Sequence, residues 1–292
     1  MKKQKNRRRW GMVLLSVLLL TGCSSAGETA GEMTGSSAEG YVSAAQQALT
    51  EADSFAASFE AKVEMQGGSA TETEGAVLMV QTPYFAKIDT TMTFDHTTQT
   101  YAVYLEEQED SVNQYMNYDG QWTEMTMTKE NAQSSMQIYH TQKNIETLLA
   151  AITDWDAAEK GEIVTLTGTI PEEKVFSVEE SCRFFQLAGM SGLSEVYFSG
   201  VGAVPVKLEI DRRTGAPLSY EVQLSDALEI VTNNVLRELG GGTLEEEISV
   251  GTYTICSALT RLGGVAAEEI PEGARNMAIN YEKEISLLED TE

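Results

Sequence analysis

The chain has 292 residues and a formal charge of −25, from 45 Asp and Glu against 20 Lys and Arg. Six of the bases (Lys2, Lys3, Lys5, Arg7, Arg8 and Arg9) lie in the first 22 positions, which hold no acid, so the rest carries 14 bases against 45 acids, about −31. Such a body excludes nucleic acid as a partner, having no basic patch to neutralise phosphates, and its own charge cannot hold it on anionic lipid.

The basic start is followed by an apolar run from Trp10 to Leu20. Eleven residues fall short of the roughly 20 that a membrane-spanning helix needs. The length and the basic flank fit a processed secretion signal over residues 1–22. The run closes on Leu20-Thr21-Gly22-Cys23. This stretch resembles the bacterial lipobox, in which small residues precede a cysteine. The resemblance implies that the Cys23 thiol receives diacylglycerol, that the preceding bond is cut, and that Cys23 becomes an acylated N-terminus. The protein would then sit on the extracytoplasmic face of the cell membrane, where two or three acyl chains hold durably and one alone is marginal. Residues 23–40 are small, polar and acidic, cannot repay the entropy of ordering, and read as a tether.

The body is expected to be a single domain over residues 41–292, with an acidic tail. A short helix over 41–52 carries Val42, Ala45, Leu49 and Ala52 at helical spacing. From residue 54 the period changes to two: Phe55, Ala57, Phe59, Ala61, Val63 and Met65 alternate with polar residues, the pattern of a half-buried strand. Further strands are expected over 70–81 (Ala76, Leu78 and Val80 on one face), 84–94, 100–107, 112–118 and 121–127. Asp119-Gly120 between the last two is a strong hairpin signal. Short connections make the six an antiparallel meander, because parallel pairing needs long crossovers.

Residues 130–152 read as helical and 162–170 as a strand. Ser177-Val-Glu-Glu180 has the form of a capping box that would start the next helix. A hairpin over 203–224 turns at Asp211–Gly215, a helix follows to Leu239 before Gly240-Gly241-Gly242, and a last long strand covers 247–259. The expected class is α+β: one large curved antiparallel sheet of about 10–11 strands, a half-barrel, with helices covering its concave face.

The order of these features resembles uncharacterised lipoproteins of Gram-positive bacteria that share the LolA/LppX-like lipoprotein-carrier fold. The landmarks are Ala48-Leu49 and Ser54-Phe55, Tyr115–Trp122 around the Asp-Gly turn, Pro205–Asp211 with Thr214-Gly215, and Ile270-Pro271-Glu-Gly-Ala274. The resemblance implies an apolar space between sheet and helices, able to take a lipid or acyl chain. It carries no catalytic motif, and function does not follow from fold.

Enzyme chemistry finds little footing. His96 and His140 have no companion at ligand spacing, and cysteines at 23, 182 and 256 match no zinc pattern. Gly200-Val-Gly202 lacks the rest of a dinucleotide motif. Glu106-Glu107 and Glu245-Glu246-Glu247 read as solvated runs. No catalytic, cofactor or metal site is therefore expected. Cys182 and Cys256 could form a disulfide outside the cell or stay as free thiols. Phe55, Phe59, Val63, Met65, Leu78, Val80, Met116, Trp122 and Met125 are candidates to line an apolar cavity, since methionine adapts to irregular shapes; an ordinary core would use the same residues. The expected function is an acyl-anchored, non-enzymatic lipoprotein that binds or presents a lipid or other apolar ligand. The alternative is a cell-envelope scaffold or stress-related component that meets another protein.

Overall fold

The computed structural model describes residues 37–242 and 246–280. The leader, Cys23, the tether as far as residue 36, Glu245 and the acidic tail past 280 lie outside the described residues.

The expected class is the one observed. Among the described residues twelve strands form one sheet, whose alternating sequences place one set of side chains under helices and the other outside. The first six make the meander: β1 (Ser54–Met65), β2 (Ala70–Val80), β3 (Phe85–Phe94), β4 (Thr97–Glu107), β5 (Val112–Tyr118) and β6 (Gln121–Met127). The β5–β6 turn uses Asp119 and Gly120 at φ 52° and 83°, the left-handed pair that a tight hairpin needs. A second group comprises β7 (Asp156–Lys160), β8 (Ile163–Ile170), β9 (Val204–Asp211), β10 (Pro217–Gln223) and β11 (Val250–Leu262). The halves join where β1 pairs antiparallel with β11, from Phe55↔Leu262 to Met65↔Val250. The two-residue β12 (Ile279–Asn280) pairs parallel with β6 at the far edge.

The inner face is covered by α1 (Ala38–Glu51), α2 (Lys129–Ser135), α3 (Thr141–Ala151), α4 (Glu172–Cys182) and α5 (Ser225–Leu239), with 3₁₀ turns at Gln137–Tyr139, Phe184–Ala188 and Glu195–Phe198. Helix α1 begins at Ala38, inside the stretch expected to be tether, because the Ser37 side chain accepts from Gly40 N at 3.3 Å. It puts Tyr41, Ala45 and Leu49 into the core at a spacing of four. Helix α4 corrects the capping-box reading. It starts at Glu172 behind Pro171, with Glu172 and Glu173 in its first turn, where acids suit the helix dipole. Ser177 is mid-helix, its hydroxyl donating to Lys174 O.

Two apolar clusters fill the inner layer. One joins α1, α3, α4 and α5 to β8–β11 through Leu148, Leu166, Val178, Leu208, Tyr253 and Ile255. The other puts Met136 and Ala132, at α2, over Phe55, Phe59, Met79, Ile88 and Leu105. A third lies on the opposite face. There α6 (Glu272–Met277) and Ile270 cover Phe85, Tyr104 and Tyr115. The segment is pinned by Arg275–Glu106 at 2.7 Å and Lys87–Glu268 at 2.8 Å. Glu106 is thus paired. Glu107 bonds Lys129 at 2.6 Å and accepts from Tyr84 N, so the pair expected to be a solvated run ties three elements together. No described helix is long and apolar enough to cross a membrane.

Candidate functional site: an apolar cleft between sheet and cover

Register decides which side chains can meet. Phe59 pairs with Gly75, Phe55 with Met79 and Val63 with Thr71, so the odd positions of β2 share the inner face with the apolar set of β1. Leu78 and Val80 therefore point outward, packing with Trp122 in the cluster under α6. These three leave the expected cavity lining: from Ala76 to Val80 both faces of β2 are apolar, and alternation alone does not say which faces the helices. Phe55 is buried beneath α2 and the His140 ring, whose centroid is 5.2 Å away. Met65 packs at the margin of the helix-side core, and Met116 at that of the neighbouring cluster. Met125 is 43% exposed and lines an open hollow beside α2 with Met127 and Gln114.

Val63 does line a cleft between sheet and cover, at the end of β1–β4 where the β3–β4 turn lies. Its volume is about 430 Å³. Val63, Thr71, Met92, Phe94 and Tyr101 form the sheet wall, and Ile138, Tyr139 and residues 186–189 form the other. Phe59 backs the cleft through its ring contact with Tyr139, centroids 5.0 Å apart. The Tyr139 and Tyr101 hydroxyls bond to each other at 3.1 Å, so the two tyrosines present apolar edges with their polar atoms paired. Phe94 is 53% exposed at the mouth.

The outer wall is held from behind. Arg183 and Gly189 take left-handed conformations (φ 55° and 79°) that bracket the 184–188 turn. The Glu179 carboxylate accepts from Phe185 N at 3.1 Å, and the Tyr253 hydroxyl donates to Phe184 O. Burial pushes the Glu179 carboxyl up to about 8, against the pull of these backbone bonds.

A larger hollow, about 860 Å³, lies on the outer face, lined by residues from β5 across to β9. A strongly twisted sheet is saddle-shaped, so both faces are hollow along one diagonal. Its side chains include Glu60, Glu74, Asp89, Glu209 and Glu221, with Lys207 bonded to Glu209 at 2.7 Å. That surface suits water rather than an apolar ligand. Cys256 lies in its floor; burial, then the Glu221 and Glu60 carboxylates, raise its thiol to about 11, which leaves little thiolate. Cys182 lies in the helix-side core. Both are free, because they belong to opposite sides of the sheet, and the disulfide is not formed.

His140 caps α3, its Nδ1 accepting from Lys143 N at 3.3 Å. Among the described residues no three His, Cys, Asp or Glu side chains are grouped to hold a metal ion. The apolar and aromatic cleft residues not anticipated are Met92, Phe94, Tyr101, Ile138, Tyr139, Leu187 and Ala188. The first three share the inner-face alternation, while the others sit in 3₁₀ turns too short to show a period.

No protein-family model matches the chain, and no curated protein matches it. Among solved structures the chain is similar to a LolA-superfamily protein from Nitrosomonas europaea, at 7% identity over 81% of this chain and 96% of that one, with a TM-score of 0.25. A superposition that loose supports no conclusion, and the fold rests on the strand pairing described above.

Proposed function

We propose that this chain is an extracytoplasmic lipoprotein, anchored by acyl chains on Cys23, that takes the hydrocarbon chain of a lipid into the cleft between sheet and cover. The observation that carries this reading is a mainly apolar cleft of about 430 Å³, within the size range of small-molecule sites. Its walls offer apolar contact area and paired hydroxyls, which suit the binding of a hydrocarbon chain. A ligand would gain on the order of 0.8 kcal/mol per buried methylene. The acidic body would stand away from the bilayer while the acyl anchor holds it there.

Binding is tested with the fluorescent fatty acid cis-parinaric acid and by native mass spectrometry after mild detergent extraction. Leu187→Asp, which puts a charge in the wall, should weaken binding about tenfold or more. Equal binding by wild type and variant, or no bound lipid and no partition, would refute the cleft. The anchor has its own test. Cys23→Ala should release the protein from the membrane fraction and remove the acyl mass, and unchanged retention would overturn the lipobox reading.

A further inference from the structure

The two edges of the sheet are finished differently. At one, β12 already pairs with β6. At the other, β7 pairs with β8 on one side and, among the described residues, with no strand on the other. Every residue of β7, Asp156-Ala-Ala-Glu-Lys160, is exposed.

The turn beside this edge shows which way its backbone points. Lys160 and Ile163 flank Gly161-Glu162 and pair across it, and Glu162 O accepts from Arg212 N at 2.8 Å, just past the end of β9. Glu162 therefore faces β9, and Ile163 faces β7. Facing alternates along a strand, so Asp156, Ala158 and Lys160 turn their N–H and C=O groups to β8. Ala157 and Glu159 turn theirs to the open edge. Unpaired backbone groups in a row are a template for another strand.

The side chains decide which strand fits. Ala157 and Glu159 lie opposite Leu166 and Val164 of the helix-side core, so Asp156, Ala158 and Lys160 share the outer face. None of the ion pairs among the described residues uses Asp156 or Lys160. Glu159 is already held within its own copy, accepting from Tyr41 Oη at 2.9 Å and lying 3.7 Å from Arg212. Antiparallel self-pairing about Ala158 sets Asp156 of each copy against Lys160 of the other. It also sets Ala157 against Glu159, the residues whose backbone groups are free, and each such pair exchanges two hydrogen bonds. The Asp–Lys pairs then fall at the non-hydrogen-bonded positions, where side chains come closest. A parallel arrangement would put Asp156 beside Asp156, and a slip centred on Glu159 would put that carboxylate against itself; like charges directly opposite are destabilising. Charges on an edge usually keep other strands away, but this set admits one arrangement.

We propose that the open edge of β7 pairs antiparallel with β7 of a second copy of this chain, joining two sheets across a two-fold axis at Ala158. The proposal is independent of the lipid-binding reading. A strand this short buries less than a standard interface, so the pairing is weak in solution and a covalent trap is the suitable test.

Across a non-hydrogen-bonded pair the Cα atoms lie about 4.5 Å apart, within the range a disulfide spans. The full chain carrying Ala158→Cys, oxidised with diamide, should therefore link to itself. Peptide mapping identifies that link and tells it from any through Cys23 or Cys256. Linking should be about tenfold faster or more than for Glu162→Cys, an exposed turn position away from the axis. In the Ala158→Cys background, Lys160→Asp should slow linking about fivefold or more, and the exchanged pair Asp156→Lys with Lys160→Asp should restore it. Ala157→Pro removes only an N–H that faces the open edge, so it should abolish linking while Tm holds. Equal linking by Ala158→Cys and Glu162→Cys would overturn the proposal. So would a rate unmoved by Lys160→Asp or by Ala157→Pro, or a loss that the exchanged pair does not restore.

Discussion

Gly75 offers the sharpest test of how the cleft is built. It sits mid-strand on β2, directly opposite Phe59, whose ring occupies the space a side chain would take. A Cβ there would lie 2.2 Å from the Asp89 carbonyl oxygen and 2.6 Å from Phe59 Cζ. The ring could rotate away, but it leans on Tyr139 at 5.0 Å, and Tyr139 is bonded to Tyr101 at 3.1 Å. The carbonyl belongs to the paired β3 backbone and can yield only by distorting the ladder. Overpacking of this kind costs about 1–3 kcal/mol, with more for the backbone contact. Alanine would return about 0.5–1 kcal/mol by restricting the unfolded chain. Gly75→Ala should therefore destabilise the domain by about 2–3 kcal/mol, a fall of roughly 5–10 °C in Tm. Urea denaturation at equilibrium measures it, with tyrosine and tryptophan fluorescence as the probe. Phe59→Leu in the same background should recover part of the loss, because it removes the ring contact and leaves the carbonyl one. A Gly75→Ala variant within about 0.5 kcal/mol of wild type would refute the claim that Phe59 and Gly75 lock together behind the cleft.

Other expectations concern buried titratable groups and the thiols. Glu179 titrates near 8 in the fold and about 4.3 unfolded. The folded state therefore holds a proton the unfolded state has lost, and stability falls as pH rises through that window. Glu179→Gln keeps an acceptor for Phe185 N and should flatten the slope by on the order of 2–4 kcal/mol between pH 5 and 8; parallel pH profiles would count against it. His140 works in the opposite sense. Burial, then Lys143, hold it down to about 4, so stability is full above about 6.5 and is lost as pH falls toward 4. His140→Asn, which retains a capping side chain, should remove that acid-side loss in thermal melts from pH 4 to 7. Finally, peptide mapping without reductant should find no Cys182–Cys256 crosslink, and Cys182 should resist alkylation until the chain unfolds; a linked peptide would contradict the placement of the two thiols.

Much of the architecture was legible because its strands alternate. The six-strand meander, the Asp119-Gly120 turn and the 203–224 hairpin rest on local patterns that the tertiary structure has no reason to override. Strand β7 escaped because Asp156–Lys160 is exposed along its whole length and has no apolar alternation to see. Strand β12 has two residues and exists only through its partner. Helix α4 was placed late because a capping-box pattern at Ser177 outweighed Pro171 and the two glutamates behind it, which mark the actual start.

The candidate cleft divides the same way. Period two sorts the side chains of a strand into two sets, and the sequence by itself determined those sets for β1 and β3. It could not say which set of β2 meets the helices. The pairing of Phe59 with Gly75 decided that, sending Leu78 and Val80 outward. Those residues stay apolar because Ile270 and α6 fold back over them from far along the chain. Tyr139 and Leu187 became cleft residues only because separate 3₁₀ turns converge over β1–β4. The acidic charge and the Leu-Thr-Gly-Cys23 stretch can be read without a fold, since they are local. Which apolar residues enclose a space depends on contacts between distant segments, and those exist only once the chain is packed.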